Sequence, residues 1–159
     1  MKIALDTNIL AYFEGVNSVE SKLLAVDLIA SLPSKSIFVP IQVLGELYNV
    51  LVRKGKLGSN EARDRITLWR DTATIVGTEI DTLMSAISLS VDHQLPIWDS
   101  VILATARDIG CRLLLSEDFQ DGFTWGGVTV VNPFAPDPHW LLQSLLDTQT
   151  ETQKPDPRR

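Results

Sequence analysis

The strongest constraint on the fold is the alternation of short apolar runs with longer segments that carry apolar residues at helical spacing. The short runs are residues 2–5, 36–39, 74–76, 112–115 and 128–131. Proline or glycine residues end most of the helical patterns between them. Short buried strands that alternate with amphipathic helices predict an α/β fold, a sandwich with a mainly parallel central sheet flanked by helices.

The composition fits one folded unit. The chain has 159 residues, of which 45% are apolar, so it is long and apolar enough to bury a normal core. It has no run of about 18 apolar residues, and we therefore expect no contact with a membrane. Cys111 is the single cysteine, which excludes an internal disulfide and is typical of a reducing, cytoplasmic location.

Prolines near the end of the chain suggest how it divides. We expect an α/β domain over residues 1–135 and a short C-terminal helix or extension over residues 136–146. Residues 147–159 contain few apolar side chains, and we expect a disordered tail there.

A net charge of −6 argues against a simple nucleic-acid binder, because such proteins present a surplus of Lys and Arg to phosphates. A nuclease that gathers carboxylates to bind one or two divalent ions remains compatible with this charge. Composition therefore leaves that class open without indicating it.

Two acids lie where a parallel sheet would bring them together, and two more acids are candidates on helices. Asp6 directly follows the first strand and Asp118 follows the fourth, and ligands bind beyond the carboxyl ends of such strands. Glu46 falls on the apolar stripe of a helix, where a carboxylate is costly unless paired or metal-bound. Asp99 begins a strongly apolar helix. Carboxylates held this close repel one another, and a hard divalent ion relieves the repulsion.

Each acid also has a purely structural interpretation. Asp99 and Asp6 are suitable N-caps for the helices that follow them. Glu46 is spaced to pair with Arg53, and Asp118 is typical of a turn. Taken singly, these interpretations are at least as good as the functional one.

The ordered set of segments resembles the PIN-domain family and, within it, the VapC-type toxin ribonucleases of type II toxin–antitoxin pairs. The segments that carry the resemblance are IALDTNIL (residues 3–10), VLGEL (43–47), WDSVILATA (98–106) and LLSEDF (114–119). The resemblance implies a doubly wound α/β fold, a Mg²⁺ or Mn²⁺ site, and endonuclease action on single-stranded or looped RNA. It also implies a homodimer and a cognate antitoxin that blocks the acidic groove.

By position, the resemblance assigns an acidic catalytic quartet with supporting polar residues. The quartet is Asp6, Glu46, Asp99 and Asp118, and the supporting residues are Asn8 and Ser116. We expect Asp6 and Asp99 to bind the metal directly, and Asp118 to bind it in a second ligand set or through water. Glu46 would act through water or orient the nucleophile. Glu117 is an extra acid whose part in the site the sequence leaves open.

Basic residues at a helix end are candidates for RNA phosphate contacts. Arg53, Lys54 and Lys56 cluster there, and Arg63, Arg65 and Arg70 lie on the next helix. The alternative is an ordinary solvated surface. Trp69 and Trp98 have the rings to stack on bases, although core packing is the simpler expectation for both.

Three other functions compete with a toxin ribonuclease. A PIN-type nuclease of RNA processing would need no antitoxin. An aspartyl-phosphate phosphohydrolase would use Asp6 as its nucleophile, but Asn8 stands where such enzymes place a second Asp. A non-catalytic module would bind RNA or protein, and the presence of all four acids argues against it.

Overall fold

Residues 1–152 form a six-stranded sheet covered by seven α-helices in the computed structural model, which describes the side chains of residues 1–147. The strands are β1 (Ile3–Leu5), β2 (Ile37–Pro40), β3 (Thr74–Val76), β4 (Leu113–Leu115), β5 (Thr124–Trp125) and β6 (Val128–Val131). The helices are α1 (Thr7–Phe13), α2 (Val19–Ser31), α3 (Ile41–Arg53), α4 (Ser59–Thr72), α5 (Ile80–His93), α6 (Ile97–Asp108) and α7 (Trp140–Thr152). A short 3-10 turn spans Ser34–Ser36.

The strand order is β3-β2-β1-β4-β6-β5, and only the β5–β6 pair is antiparallel. Every residue of β1, β4 and β6 is buried. Because successive residues of a strand point to opposite faces, both faces of these strands are covered. The chain leaves β1 toward β2 on one side and returns to β4 on the other. The crevice between the carboxyl ends of β1 and β4 is therefore the point where the sheet order reverses, the usual ligand site of such folds.

Helices α3 and α6 pack against the sheet, whereas α2, α4 and α5 pack mainly on the neighbouring helices α1, α3 and α6. The apolar stripe predicted for α3 from its helical spacing faces inward. Its residues Val43, Leu47 and Leu51 are fully buried. Most of α6 is buried, including Ile102 and Leu103. None of the helices within residues 1–152 has both the length and the apolar content needed to cross a membrane.

The mainly parallel α/β sandwich predicted from the sequence is confirmed, and the five predicted strands all form. The two-residue strand β5 was not predicted, because no apolar run in the sequence marks it. Gly126 and Gly127, both with positive φ, make the tight turn that returns β5 to β6, a conformation that glycine adopts without strain.

The C-terminal helix is longer than the sequence suggests. Leu142 and Leu145 anchor α7 in the core, and the helix continues through Thr152. Helix α7 thus extends over residues 147–152, where the sequence predicts a disordered tail, and no proline or glycine interrupts the helix there. The rest of that predicted tail, residues 153–159, lies outside the described residues.

Candidate active site

Asp6 lies at the centre of the crevice between β1 and β4. It is the first residue after β1 and also the N-cap of α1, where its Oδ1 accepts a hydrogen bond of 2.6 Å from the backbone N–H of Thr7. Asp6 therefore does cap the helix, and it is also buried, with only 5% of the residue exposed. A buried cap that also faces a crevice is placed for chemistry as well as for folding.

Asn8 and Ser116 connect Asp6 to the end of β4. The Ser116 hydroxyl donates to Asp6 Oδ2 at 2.6 Å. The Asn8 amide nitrogen lies 3.3 Å from Asp6 Oδ2, 3.2 Å from Ser116 Oγ and 3.0 Å from Asp118 Oδ2. Asn8 therefore bridges two carboxylates that are far apart in sequence, and both supporting residues lie within the acidic site.

Glu46 reaches the site from α3 and is held at both carboxylate oxygens. The Thr7 hydroxyl donates to Oε2 at 2.7 Å, and the Gln42 amide donates to Oε1 at 2.9 Å. Within the described part of the chain, Glu46 makes no ion pair with Arg53. Sequence reasoning missed both donors, although Gln42 precedes Glu46 by one helical turn, a spacing at which side chains meet.

Asp99 lies in the first turn of α6 and is half-buried. It is not the N-cap, because Pro96 holds that position. No described side chain donates a hydrogen bond to its carboxylate. The pKa of Asp99 is raised to about 6, mainly by burial and in smaller part by the negative charges of Glu46 and Asp118.

The pKa of Asp6 is likewise raised to about 6. Burial is the main cause, and the charges of Asp99 and Glu46 add to it. Hydrogen bonds from Ser116 and from the Thr7 backbone oppose the rise. These mutual effects place Asp6, Glu46, Asp99 and Asp118 around one site. Two of its acids pay an electrostatic cost when ionised, which a nearby cation would offset.

The donor set suits a hard divalent ion. The acidic side chains gathered here offer carboxylate oxygens, the donors that Mg²⁺ and Mn²⁺ prefer. Among the described residues, no three His, Cys, Asp or Glu side chains already stand close enough to hold a metal ion by themselves. That arrangement is compatible with Mg²⁺, because this ion keeps several waters and needs only one or two direct carboxylates.

Glu117 is turned to a different partner. The Tyr12 hydroxyl donates a short hydrogen bond to Glu117 Oε2. Burial and this contact raise the pKa of Tyr12 to about 12, so the phenol keeps its proton. Asp118, in contrast, contacts Asn8 directly. The structure thus separates the two neighbouring acids, with Asp118 on the site side.

Of the basic residues considered from the sequence, Lys54 alone reaches the cavity beside the acids. Lys54 lines that cavity together with Glu46 and Asp118, whereas Arg53 and Lys56 are exposed outside its lining. The three arginines of α4 form ion pairs with nearby acids, namely Arg63 with Asp64, Arg65 with Glu14 and Glu61, and Arg70 with Asp71.

The two tryptophans behave differently. Trp69 is buried, and its indole N–H donates to Glu14 at 2.8 Å, so core packing is confirmed. Trp98 is 53% exposed, and the expectation of core packing is wrong for it. The reason is that Trp98 lies on the outer side of the first turn of α6, beside buried Ser100 and Val101 that face inward.

A family model described as the PIN domain matches residues 3–120. No curated protein matches the chain by sequence. Among solved structures, the chain is similar to the Sarcin-Ricin loop cleaving toxin VapC20 of Mycobacterium tuberculosis, with a TM-score of 0.63 at 21% identity, over 74% of this chain and 92% of that one.

Two further structures share the fold. A toxin–antitoxin complex from Klebsiella pneumoniae has a TM-score of 0.64 at 21% identity, covering 84% of this chain and 98% of that one. FitAcB from Neisseria gonorrhoeae has a TM-score of 0.58 at 20% identity, covering 83% and 98%. With the family model spanning most of the described residues and the acids gathered where the sheet order reverses, the chain belongs to the PIN domain family.

Proposed function

We propose that this protein is a Mg²⁺- or Mn²⁺-dependent endoribonuclease that hydrolyses RNA phosphodiester bonds. PIN-domain proteins are nucleases, and they generally use divalent metal ions. The observation that supports the proposal is the hydrogen-bonded cluster beyond β1 and β4, in which Asn8 bridges Asp6 and Asp118 and Thr7 holds Glu46. Neighbouring acids help to raise the pKa of Asp6 and of Asp99 to about 6.

The chain's own residues divide the work among themselves. Asp6 and Asp99 are the proposed direct ligands of the ion, and Asp118 would bind in a second set or through water. When bound, such an ion acidifies water and neutralises charge on phosphate oxygens. Asn8 and Ser116 fix the orientation of Asp6 and Asp118, as outer hydrogen bonds do for metal ligands.

Glu46 is positioned to orient the attacking water. Both of its oxygens already accept a hydrogen bond, one from Thr7 and one from Gln42, and each carboxylate oxygen has a second lone pair to offer. A water held there would attack phosphorus and give up one proton to solvent, the bond from phosphorus to the leaving oxygen would break, and that oxygen would take up a proton from solvent. No histidine competes for this role, because His93 packs on Phe123 and His139 lies beside Trp140.

The proposal that this protein is a toxin rests on its structural similarity to proteins of toxin–antitoxin systems. The three solved structures described above are named as toxins or toxin–antitoxin complexes, or come from such a system. We propose that a cognate antitoxin covers the acidic groove of this protein and holds it inactive in the cytoplasm. The single cysteine, Cys111, is buried and forms no disulfide, in keeping with that location.

A homodimer is supported by an apolar stripe on α5. Ile80, Met84, Ile87 and Val91 recur at helical spacing, and each is at least 40% exposed. Single exposed apolar residues are ordinary, but a continuous stripe marks an interaction surface. A two-fold axis along this helix would bury the stripe of each protomer against the other.

The test is cleavage of single-stranded and stem-loop RNA by the purified protein, free of antitoxin, with Mg²⁺, Mn²⁺ or EDTA. Wild type should cut only with metal, whereas Asp6→Asn and Asp99→Asn should be inactive with an unchanged circular dichroism spectrum. Asp64→Asn, an exposed acid on α4, is the matched control. Equal cleavage by wild type and both site variants would refute the proposal. If the protein cleaves RNA but its gene has no small neighbouring gene for an antitoxin, an RNA-processing nuclease would be favoured.

A further inference from the structure

The acidic site opens into a cavity of about 700 Å³ that the catalytic residues do not fill. Thr7, Asn8, Glu46 and Asp118 line the part of it that belongs to the acidic site. A cavity of this size is in the range that takes one small ligand. Since this part adjoins the proposed site of phosphodiester hydrolysis, whatever occupies the rest of the cavity lies near the reacting bond.

The walls away from the acids have a different chemistry. Ala11, Val16 and Val50 supply an apolar surface, and the Tyr12 ring stands beside it. Tyr12 is fixed from two directions, since its ring packs on Phe134 at 5.9 Å between centroids and its hydroxyl donates to Glu117. A preorganised aromatic next to an apolar wall suits the face of a nucleobase.

Two polar groups complete the outer part of the cavity. Asn49 is exposed on α3 and lines the cavity. Its side-chain amide both accepts and donates hydrogen bonds, as recognition of the edge of a base requires. Lys54 caps the same helix, roughly 12 Å beyond Glu46 at the rise of an α-helix. Unlike the arginines of α4, Lys54 makes no ion pair among the described residues, so its charge is free for a phosphate.

We propose that this cavity is a subsite for one nucleotide of single-stranded RNA next to the cleaved bond. The base lies against Tyr12 and the apolar wall, its edge is read by Asn49, and Lys54 pairs with a neighbouring phosphate. Asn49 is thereby a specificity-determining residue. The inference rests on the proposed ribonuclease function for its biological meaning, but the binding it describes requires neither metal nor catalysis.

That independence defines the first experiment. The probes are the four ribonucleoside 5′-monophosphates and inorganic phosphate, titrated in EDTA into the full chain and followed by amide NMR. Nucleotides should shift the resonances of Tyr12, Asn49 and Lys54, with one base binding at least about 3-fold more tightly than the weakest. Inorganic phosphate should shift Lys54 alone. Equal shifts by phosphate and nucleotides, or shifts confined to other residues, would overturn the subsite.

Variants separate the two polar groups. Lys54→Gln should weaken binding of every nucleotide by a similar factor, about 3–10-fold, whereas Asn49→Ala should level the differences between bases. Arg53→Gln is the matched control, because it removes a neighbouring exposed charge that does not line the cavity, and it should bind as wild type does. A preference among bases that survives Asn49→Ala would overturn the role of Asn49.

The second experiment connects the subsite to cleavage. A randomised RNA pool is digested, and the bases flanking each new end are counted. Asn49→Ala should still cut the pool while changing the base preference at one flanking position. If wild type cuts nothing but the NMR result holds, the proposed function fails and the nucleotide subsite stands. If wild type cuts and Asn49→Ala leaves the flanking bases unchanged, the subsite fails alone.

Discussion

The side-chain amide of Asn8 donates to Asp118 Oδ2 at 3.0 Å across 110 residues of sequence. The same nitrogen lies 3.3 Å from Asp6 Oδ2. One amide thereby sets the spacing between carboxylates that follow two different strands. Two acids that repel each other are held in place by a shared neutral donor rather than by a buried cation from the protein itself.

Replacement of Asn8 should therefore damage catalysis more than folding. Asn8→Ala removes the donor that Asp6 and Asp118 share, and we expect cleavage to fall by about 10–100-fold, the usual effect of losing a group that orients metal ligands. Single-turnover cleavage with saturating Mn²⁺ measures this. Asn60→Ala, an exposed asparagine at the start of α4, should leave the rate unchanged. A rate for Asn8→Ala within 2-fold of wild type would show that the bridge is dispensable.

The hydroxyl of Thr7 is predicted to act through Glu46. Thr7→Val keeps the size and the β-branch of the side chain but removes the donor to Glu46 Oε2. We expect kcat to fall by about 10-fold or more with KM little changed, because the orientation of the water matters at the transition state and not in binding. Thr7→Ser, which restores the hydroxyl, should recover most of the activity. Equal losses in both variants would point to packing instead.

Metal-free stability should depend on pH through Asp99. The pKa of Asp99 is raised from 3.8 to about 6, so the folded state binds a proton that the unfolded state has already lost between those values. The contribution of Asp99 to the free energy of unfolding is therefore most favourable below about pH 4, and it declines as the pH rises through 6. After allowance for solvent screening, a loss of about 1 kcal/mol is expected above pH 7.

Asp99→Asn removes that loss, and its Tm in EDTA at pH 7.5 should exceed that of wild type by about 2–4 °C. At pH 4 the two proteins should melt within a degree or so of each other, since the carboxylate is then largely protonated. Addition of Mn²⁺ at pH 7.5 should raise the Tm of wild type but hardly that of the variant. Thermal melts across pH, with and without Mn²⁺, check all three expectations. A variant less stable than wild type at pH 7.5 would contradict the assigned cause.

The stripe on α5 predicts how the dimer can be broken. Ile87→Asp places a charge at the middle of the exposed apolar row and should convert a dimer to a monomer, because an unpaired charge is costly in a buried interface. Light scattering on a sizing column measures the mass directly. Leu68→Asp changes an apolar residue of α4 that is 57% exposed, and it should leave the mass unchanged. A wild-type monomer at micromolar concentration would remove the basis of this proposal.

Much of the fold is visible in the linear pattern because helix and strand periods are local properties. The three-residue runs at β1 and β4 and the inward stripe of α3 are read directly from the spacing of their apolar residues. The placement of Asp6 and Asp118 at strand ends follows from the same pattern. Asp6 and Asp118 were therefore nameable from the sequence, whereas Thr7 and Gln42, the donors to Glu46, were not.

The sequence by itself determined which acids end strands and which helix faces turn inward, since each is fixed by a few neighbouring residues. Only the tertiary structure decided that β4 lies beside β1, that Thr7 meets Glu46, that Trp98 is exposed, and that Lys54 rather than Arg53 reaches the cavity. These contacts join segments dozens of residues apart or depend on the direction of one helix end. They arise because all the core residues must be buried together. The local spacing of residues does not encode which distant segment packs beside a given strand or helix.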